Sequence, residues 1–223
     1  MILRIKKVLN ERTIDYAQSV LSDAVFVDGS LSAGSLAAQV KHNEELSMQS
    51  PLHQSLNQQI MGALVKHESY QAIALPLKVA TAFYSRYQVG MHYGLHVDDA
   101  IMGPANGRYR SDISTTVFLN DAKDYQGGEL LIHSPSGIES VKLDAGDAVV
   151  YPSSSLHEVR KVTSGQRLVA VTWAQSLVKS AEQRDTLYNM AQIRKSLASQ
   201  NNQHEVARLD QVYANLLRMW SEV

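Results

Sequence analysis

His96 and Asp98 stand two residues apart in GMHYGLHVDD, and His157 precedes Arg167 by ten residues in PSSSLHEVRKVTSGQR. Two imidazoles and one carboxylate are the protein donors of the facial triad, which leaves coordination positions open on a non-haem Fe(II). On a strand, the His-x-Asp spacing places both side chains on one face, where they can share an ion. His157 must then complete the set from a different strand. The donor set contains no sulfur; it suits Fe(II) and would also accept Mn, Co, Ni or Zn. An arginine fixed nearby is the group of choice for holding a dicarboxylate by its far end. Together these residues predict an oxygenase that binds Fe(II) at His96, Asp98 and His157 and 2-oxoglutarate at Arg167. The other histidines (His42, His53, His67, His92, His133 and His204) read as ordinary surface or hydrogen-bonded core residues.

Whether Arg167 reaches such a site depends on strand register. Thr163-Ser164-Gly165 predicts a hairpin between the strand of His157 and that of Arg167. If Lys161 pairs with Arg167 across a five-residue loop, His157 and Arg167 share a face. They then lie four residues apart, roughly 13 Å, which iron, 2-oxoglutarate and a long arginine side chain would span. Pairing Val162 with Arg167 would put them on opposite faces. On the first register Trp173 faces the same interior, as a pocket wall or a core residue.

The elements around these residues fall into three zones. Residues 1–70 read as mostly helical with one leading strand: alternation at 2–9, then helices at Thr13–Leu21, Ser35–Val40 and Leu56–Val65, the last with Leu56, Ile60, Leu64 and Val65 on one face. From about residue 73 the chain breaks into short runs rich in Val, Leu, Ile, Thr and Tyr. Turn signals at Asn120-Asp121, Gly127-Gly128, Pro135-Ser136-Gly137, Ala145-Gly146-Asp147 and Thr163-Ser164-Gly165 punctuate them. That pattern predicts an antiparallel sandwich or barrel, best a jelly roll with helices on one outer face. After residue 178, Leu187, Met190, Ile193 and Leu197, and then Val206, Leu209, Val212, Leu216 and Met219, repeat at helical spacing. SQNNQ at 199–203 separates them, so a helix pair is expected to pack on itself and on the N-terminal helices or another subunit. The expected organisation is a catalytic domain at 1–178, with its β core at about 73–178, and a helical extension at 179–223. The segment Ala100–Asp112, AIMGPANGRYRSD, reads as an irregular loop placed to cover the open metal face, with Arg108 and Arg110 solvated or facing an acidic substrate.

Composition narrows the partners. The 223 residues are 44% apolar and 19% charged, with a net charge of −1, which gives no global pull toward nucleic acid or anionic membrane. There is no cysteine, so disulfides, thiolate metal sites and a cysteine nucleophile are excluded, compatibly with a reducing cytoplasm. The N-terminus lacks an apolar stretch of signal-peptide length, and the longest apolar run, Leu168–Ala174, is too short to span a bilayer. A soluble, cytoplasmic protein is expected.

The segment Tyr87-x-x-Gly90-x-x-Tyr93-x-x-His96-x-Asp98, the GGEL at 127–130, and His157 followed by Arg167 resemble the Fe(II)/2-oxoglutarate dioxygenases of the prolyl 4-hydroxylase-like group. More narrowly, YQVGMHYGLHVDDAIMG and SSSLHEVRKVTSGQRLVAVTWAQS are similar to bacterial PKHD-type hydroxylases, over nearly the whole chain. The resemblance implies a double-stranded β-helix (jelly-roll) core, iron on His96, Asp98 and His157, and the distal carboxylate of 2-oxoglutarate on Arg167, where prolyl-hydroxylase relatives commonly use lysine. It implies oxidative decarboxylation of 2-oxoglutarate to succinate and CO2 with hydroxylation of a substrate by dioxygen, and L-ascorbate (vitamin C) as reductant. It also implies a cosubstrate hydrogen bond from Tyr93. On a regular strand Tyr93 would face away from His96, and a bulge at Gly94 would re-aim it. A peptide, an amino acid derivative or a siderophore-like small molecule all fit as substrate. Alternatives from other classes are a non-catalytic metal-binding jelly roll, a cupin-like enzyme without cosubstrate, and an assembly protein built on the C-terminal helices.

Overall fold

The short apolar runs from residue 73 onward pair into two facing antiparallel sheets. The computed structural model describes residues 1–200 and 202–222. Its strands are, in chain order, β1 (Leu3–Ile5), β2 (Phe26–Asp28), β3 (Lys41–His42), β4 (Glu44–Leu46), β5 (Pro76–Val79), β6 (Phe83–Tyr87), β7 (His92–His96), β8 (Ile101–Met102) and β9 (Tyr109–Arg110). They continue with β10 (Ile113–Phe118), β11 (Tyr125–Gln126), β12 (Leu130–Ser134), β13 (Gly137–Val141), β14 (Ala148–Pro152), β15 (His157–Val159), β16 (Ser164–Gly165) and β17 (Arg167–Ser176). The larger sheet runs β1-β14-β10-β17-β6-β4-β2, with β5 also pairing with β17; the smaller runs β13-β12-β15-β7-β3. This mainly β sandwich has the predicted jelly-roll architecture.

Period-2 alternation in the larger sheet separates two cores. Ile113 and Val117 of β10 face the helices, where they join Leu56, Ile60, Leu64 and Tyr70. Phe118, Val149 and Val169 face the smaller sheet, where they meet Leu130 and Ile132. The helical layer is α1 (Glu11–Ser22), α2 (Leu52–Leu56), α3 (Gly62–Lys66) and α4 (Glu68–Ala74), with a π-helical turn (Asn57–Met61) joining α2 to α3. Asn10 caps α1 by accepting from the Thr13 N–H at 2.9 Å, which satisfies one of the free donors of the first turn.

Three expectations about the N-terminal half change. The leading strand ends at Ile5 rather than residue 9, because Lys7 takes a positive φ and gives its N–H to Asp147 at 2.9 Å. The candidate helix at Ser35–Val40 is a 3-10 turn at Ala37–Val40. Residues 1–70 are also not purely helical: β2, β3 and β4 extend both sheets. Their sequence, FVD and KHNEEL, has no apolar alternation, and they form as strands because β6 and β7 offer them an open edge.

The C-terminal helices are α5 (Ala181–Ser199) and α6 (Gln203–Trp220), with Ser180 capping α5 through the Gln183 N–H. Asn201, within the predicted separator, lies outside the described residues. As predicted, the pair packs on itself and on the N-terminal helical layer. Leu187 is fully buried against Leu75 and Val178, and Tyr213, Leu216, Leu217 and Trp220 close over them. The predicted stripe is displaced in part, since Ile193, Val212 and Met219 are exposed. Lys195 pairs with Glu68 of α4 at 2.8 Å.

Leu187→Ala is expected to destabilise the protein by about 2–4 kcal/mol through lost burial and a residual cavity. Urea unfolding followed by circular dichroism measures this, and an unchanged midpoint would remove Leu187 as the anchor of the C-terminal pair.

Candidate active site

The end of β7 and the start of β15 lie side by side, and His96 is the register partner of His157. Asp98 follows two residues beyond His96, where the chain has left the strand. The donor atoms of His96, Asp98 and His157 all lie within 4.8 Å of one another. His157 Nε2 is 3.8 Å from Asp98 Oδ1, and the two imidazole centroids are 4.2 Å apart. Among the described residues these three form the one His/Asp/Glu group close enough to hold a metal ion.

Both imidazoles are pinned through Nδ1 to a carbonyl two residues upstream, His96 to Gly94 O at 2.8 Å and His157 to Ser155 O at 3.0 Å. A carbonyl only accepts, so each Nδ1 carries the proton and each Nε2 keeps its lone pair for a ligand. Burial, reinforced by the adjacent His157, pushes His96 down to about 4; the ring is therefore neutral, as a metal ligand must be. Asp98 accepts a short hydrogen bond on Oδ2 from Ser114, whose hydroxyl also meets Ser153 at 2.8 Å. That bond leaves Oδ1 as the oxygen turned toward His157.

The parity question at Tyr93 is answered by a bulge. His157 pairs with His96 and Val159 pairs with Tyr93, so two steps on β15 oppose three on β7. The extra residue turns Tyr93 to the same side as His96, and the two rings stack at 3.6 Å and 14°. Gly94 is required there because a Cβ would come within 2.9 Å of Val40 Cβ.

Arg167 opens β17, opposite Tyr87 of β6. It is 1% exposed, and its guanidinium lies 5.0 Å from the Tyr87 ring centroid and 5.5 Å from that of Phe118. No carboxylate pairs with it among the described residues, and its buried Nε has no acceptor. Asn120 grips the backbone on both sides of it, donating to Gln166 O at 2.6 Å and accepting from the Leu168 N–H at 2.8 Å. Gly128 of the GGEL run gives the side chain room: its φ is +69°, and a Cβ would stand 3.1 Å from Arg167 Cδ.

The predicted His157–Arg167 hairpin does not exist. β15 belongs to the smaller sheet and β17 to the larger one. The segment between them crosses over, held by Val162 to Met91, Thr163 to Gln126, and β16 to β11. His157 and Arg167 share a cavity because they face each other across the sandwich, not because they share a strand face. Trp173 does face this interior, edge-on to Phe83 at 5.6 Å.

The cavity has a volume of about 870 Å³ and takes in the triad, Tyr93, Arg167 and Trp173. The segment at 100–112 is ordered as the β8–β9 hairpin and forms one wall. Arg110 turns away from the cavity to Asp112 at 2.6 Å and Glu222 at 2.9 Å, while Arg108 is exposed.

This geometry agrees with the relatives of the chain. Residues 82–175 match the model of the 2OG-Fe(II) oxygenase superfamily, and residues 182–222 match that of the PKHD-type hydroxylase C-terminal domain. A PKHD-type hydroxylase of Thioalkalivibrio sulfidiphilus is 47% identical over 224 residues, and one of Acaryochloris marina is 43% identical over 223 residues, each covering 100% of both chains. The chain belongs to the PKHD-type hydroxylases. It is accordingly an enzyme of the Fe(II)- and 2-oxoglutarate-dependent dioxygenase class. Solved structures show the same fold at low identity. HygX of Streptomyces hygroscopicus, with nickel, 2-oxoglutarate and hygromycin B bound, is 14% identical at a TM-score of 0.57, covering 80% of this chain and 84% of its own. A Pseudomonas putida prolyl-4-hydroxylase is 15% identical at 0.52, covering 78% and 92%. No helix among the described residues of this hydroxylase is long and apolar enough to cross a membrane.

Sequence reasoning missed four residues that shape the site. Ser114 and Asn120 lay hidden in a strand and a turn signal, and nothing in their local pattern marks them. Lys41 and Glu45 line the cavity as a buried ion pair at 2.6 Å, with Lys41 Nζ 5.3 Å from the Tyr93 ring centroid. Their run, KHNEE, is polar throughout and divides between the two sheets, so no local pattern marks the pair.

Ser114→Ala frees the Asp98 carboxylate to rotate and is expected to weaken divalent-metal binding roughly 10- to 100-fold. Titration with Co(II) under absorbance detection reads this, and wild-type affinity would show that Asp98 needs no support from Ser114.

Proposed function

We propose that this hydroxylase holds Fe(II) on His96, Asp98 and His157, binds the distal carboxylate of 2-oxoglutarate on Arg167 with a hydrogen bond from Tyr93, and hydroxylates a peptide or small-molecule substrate. The catalytic domain is residues 1–178, and 179–223 is its helical extension. The observation that carries the reading is the guanidinium of Arg167, buried in the same cavity as the triad with no carboxylate against it among the described residues and with no acceptor for its Nε. Desolvating an arginine without a counter-charge costs several kcal/mol, and a dicarboxylate supplies the missing charge through two parallel N–H donors.

The donor set fits the metal. Two imidazoles and one carboxylate oxygen would supply three donors and leave further coordination positions of the ion open, and no thiolate competes for it. Bound there, Fe(II) would supply activation of dioxygen, coupled to oxidative decarboxylation of 2-oxoglutarate to succinate and CO2, with the second oxygen atom delivered as a hydroxyl.

The chain's own residues bind, orient and exclude water. Nδ1 anchoring holds both imidazoles in one tautomer and one orientation. Arg167, flanked by Tyr87 and Phe118, meets its anion at low dielectric, where each hydrogen bond is strengthened. Tyr93, stacked on His96, keeps its hydroxyl protonated because burial raises its pKa well above the usual value for a phenol, so it can donate. The cavity, near the top of the ~300–1,000 Å³ usual for ligand sites, leaves space for a substrate beside the cosubstrate, walled by Phe83, Val171, Trp173 and the β8–β9 hairpin. Ascorbate is assigned to keeping the iron ferrous, and a cysteine-free chain with a ferrous centre suits the cytoplasm.

His96→Ala, Asp98→Ala and His157→Ala are each expected to abolish iron binding at micromolar metal while the fold persists. Stoichiometric iron in all three purified variants would sink the triad. Arg167→Ala should keep its iron but lose about 2–5 kcal/mol of cosubstrate binding, or roughly 30- to 4,000-fold. An anaerobic absorbance titration of the Fe(II) protein with 2-oxoglutarate, together with succinate formation under air, checks this; an unchanged titration would remove Arg167 from the site.

A further inference from the structure

The β8–β9 hairpin stands over the metal group with little holding it from within. Two residue pairs join its strands, Ile101 with Arg110 and Met102 with Tyr109. Its turn is closed by the Gly107 N–H to Pro104 O at 2.8 Å. A two-stranded ribbon of this size is marginal in water by itself. Yet Met102, Pro104 and Tyr109 line the cavity, and burial, helped by the nearby Asp98 carboxylate, raises the pKa of Tyr109.

Outside the hairpin, β17 holds its second strand through the Arg110 N–H to Gln175 Oε1 at 3.2 Å and the Asp112 N–H to Ala174 O at 3.0 Å, and a second set of contacts comes from the C-terminus. Arg110 donates through Nε to Asp112 Oδ1 at 2.6 Å and through Nη1 to Glu222 Oε2 at 2.9 Å. Glu222 is itself placed by its N–H to Leu177 O at 2.8 Å and by the adjoining Val178–Ser221 bridge. The second oxygen of Asp112 takes the Ser176 N–H at 2.8 Å, and its carbonyl takes the Ser153 N–H at 3.2 Å and Arg184 Nη2 at 3.4 Å. Arg184, 4% exposed on α5, also ties the carbonyls of Val178 and Lys179 at 2.8 Å each. One knot at Asp112 thus joins the hairpin, the end of β17, the first turn of α5 and the residues after α6. Through Ser153 and Ser114 it is contiguous with Asp98.

We propose that the C-terminal helix pair is a clamp on the substrate wall: Glu222 and Arg184 hold Arg110 and Asp112 so that the β8–β9 hairpin stays closed over the cavity. Glu222 is a positioning residue acting through Arg110, and neither touches the metal donors. The clamp gives the C-terminal domain a part in shaping the space open to substrate, beyond covering Leu75. It concerns the wall alone and stands whichever ligand the cavity takes.

The test is hydrogen–deuterium exchange on the full-length protein, comparing wild type with Glu222→Gln and Glu222→Lys. Neutralising an exposed partner of an ion pair is worth about 0.2–1 kcal/mol, so Glu222→Gln should speed exchange of amides 101–110 roughly 1.4- to 5-fold. Glu222→Lys, which sets like charges face to face, should exceed it. The β12–β13 hairpin, remote from the clamp, serves as the internal reference. Faster exchange at 101–110 but not at 130–141 supports the clamp, whether or not α6 loosens with it. Unchanged exchange at 101–110 in both variants overturns it, and so does an equal rise in both hairpins, which would be global loosening.

Discussion

A guanidinium buried to 1% exposure with no carboxylate against it is the constraint on which this molecule turns. Burying a charge is tolerated only where something returns the lost solvation. In this chain the return is partial: two aromatic faces, a gap left by Gly128, and a backbone held on both sides by Asn120. No carboxylate among the described residues supplies the rest. The sandwich therefore holds a positive charge at a fixed depth without a carboxylate partner among the described residues, and His96, Asp98 and His157 line the same cavity.

Around that charge the site is assembled from local devices of modest energy. The register pair His96–His157 brings two imidazoles together, and the bulge in β7 adds Tyr93 to their face. Carbonyls two residues upstream set both tautomers, and a serine in the opposite sheet takes one oxygen of Asp98. None of these is worth more than a few kcal/mol alone. Their effect is to remove alternative rotamers, so that donor geometry is fixed before any ligand arrives. The helical layer and the C-terminal pair serve the same end from outside, by bracing the larger sheet and the hairpin beside the cavity.

Much of this was legible from residue order alone. The β core appeared as short runs with turn signals, because each strand of a sandwich buries one face and must end at a residue that can turn. The triad was legible because few functions need His-x-Asp followed by a distant histidine, and the arginine because its spacing and type repeat a family pattern. Helix α1 followed from a polar entry, and the pair α5 and α6 from apolar periodicity with a polar separator, which are properties of neighbours in sequence.

What tertiary structure alone decided was anything that depended on who pairs with whom. β2, β3 and β4 are strands only because edges of β6 and β7 accept them; isolated, their polar sequences have no reason to extend. His157 and Arg167 meet across two sheets rather than along one hairpin, since the residues between them find hydrogen bonds with the loops at 88–91 and 125–129 instead of with each other. Ile193, Val212 and Met219 repeat as a stripe would, but the rotation of each helix is set by which side chains fill the hollow over Leu75 and Val178. Residue types and short-range spacing determined the chemistry this protein can perform. Long-range hydrogen bonding and packing determined where each group stands, because those energies depend on partners far away in the chain that no local pattern names.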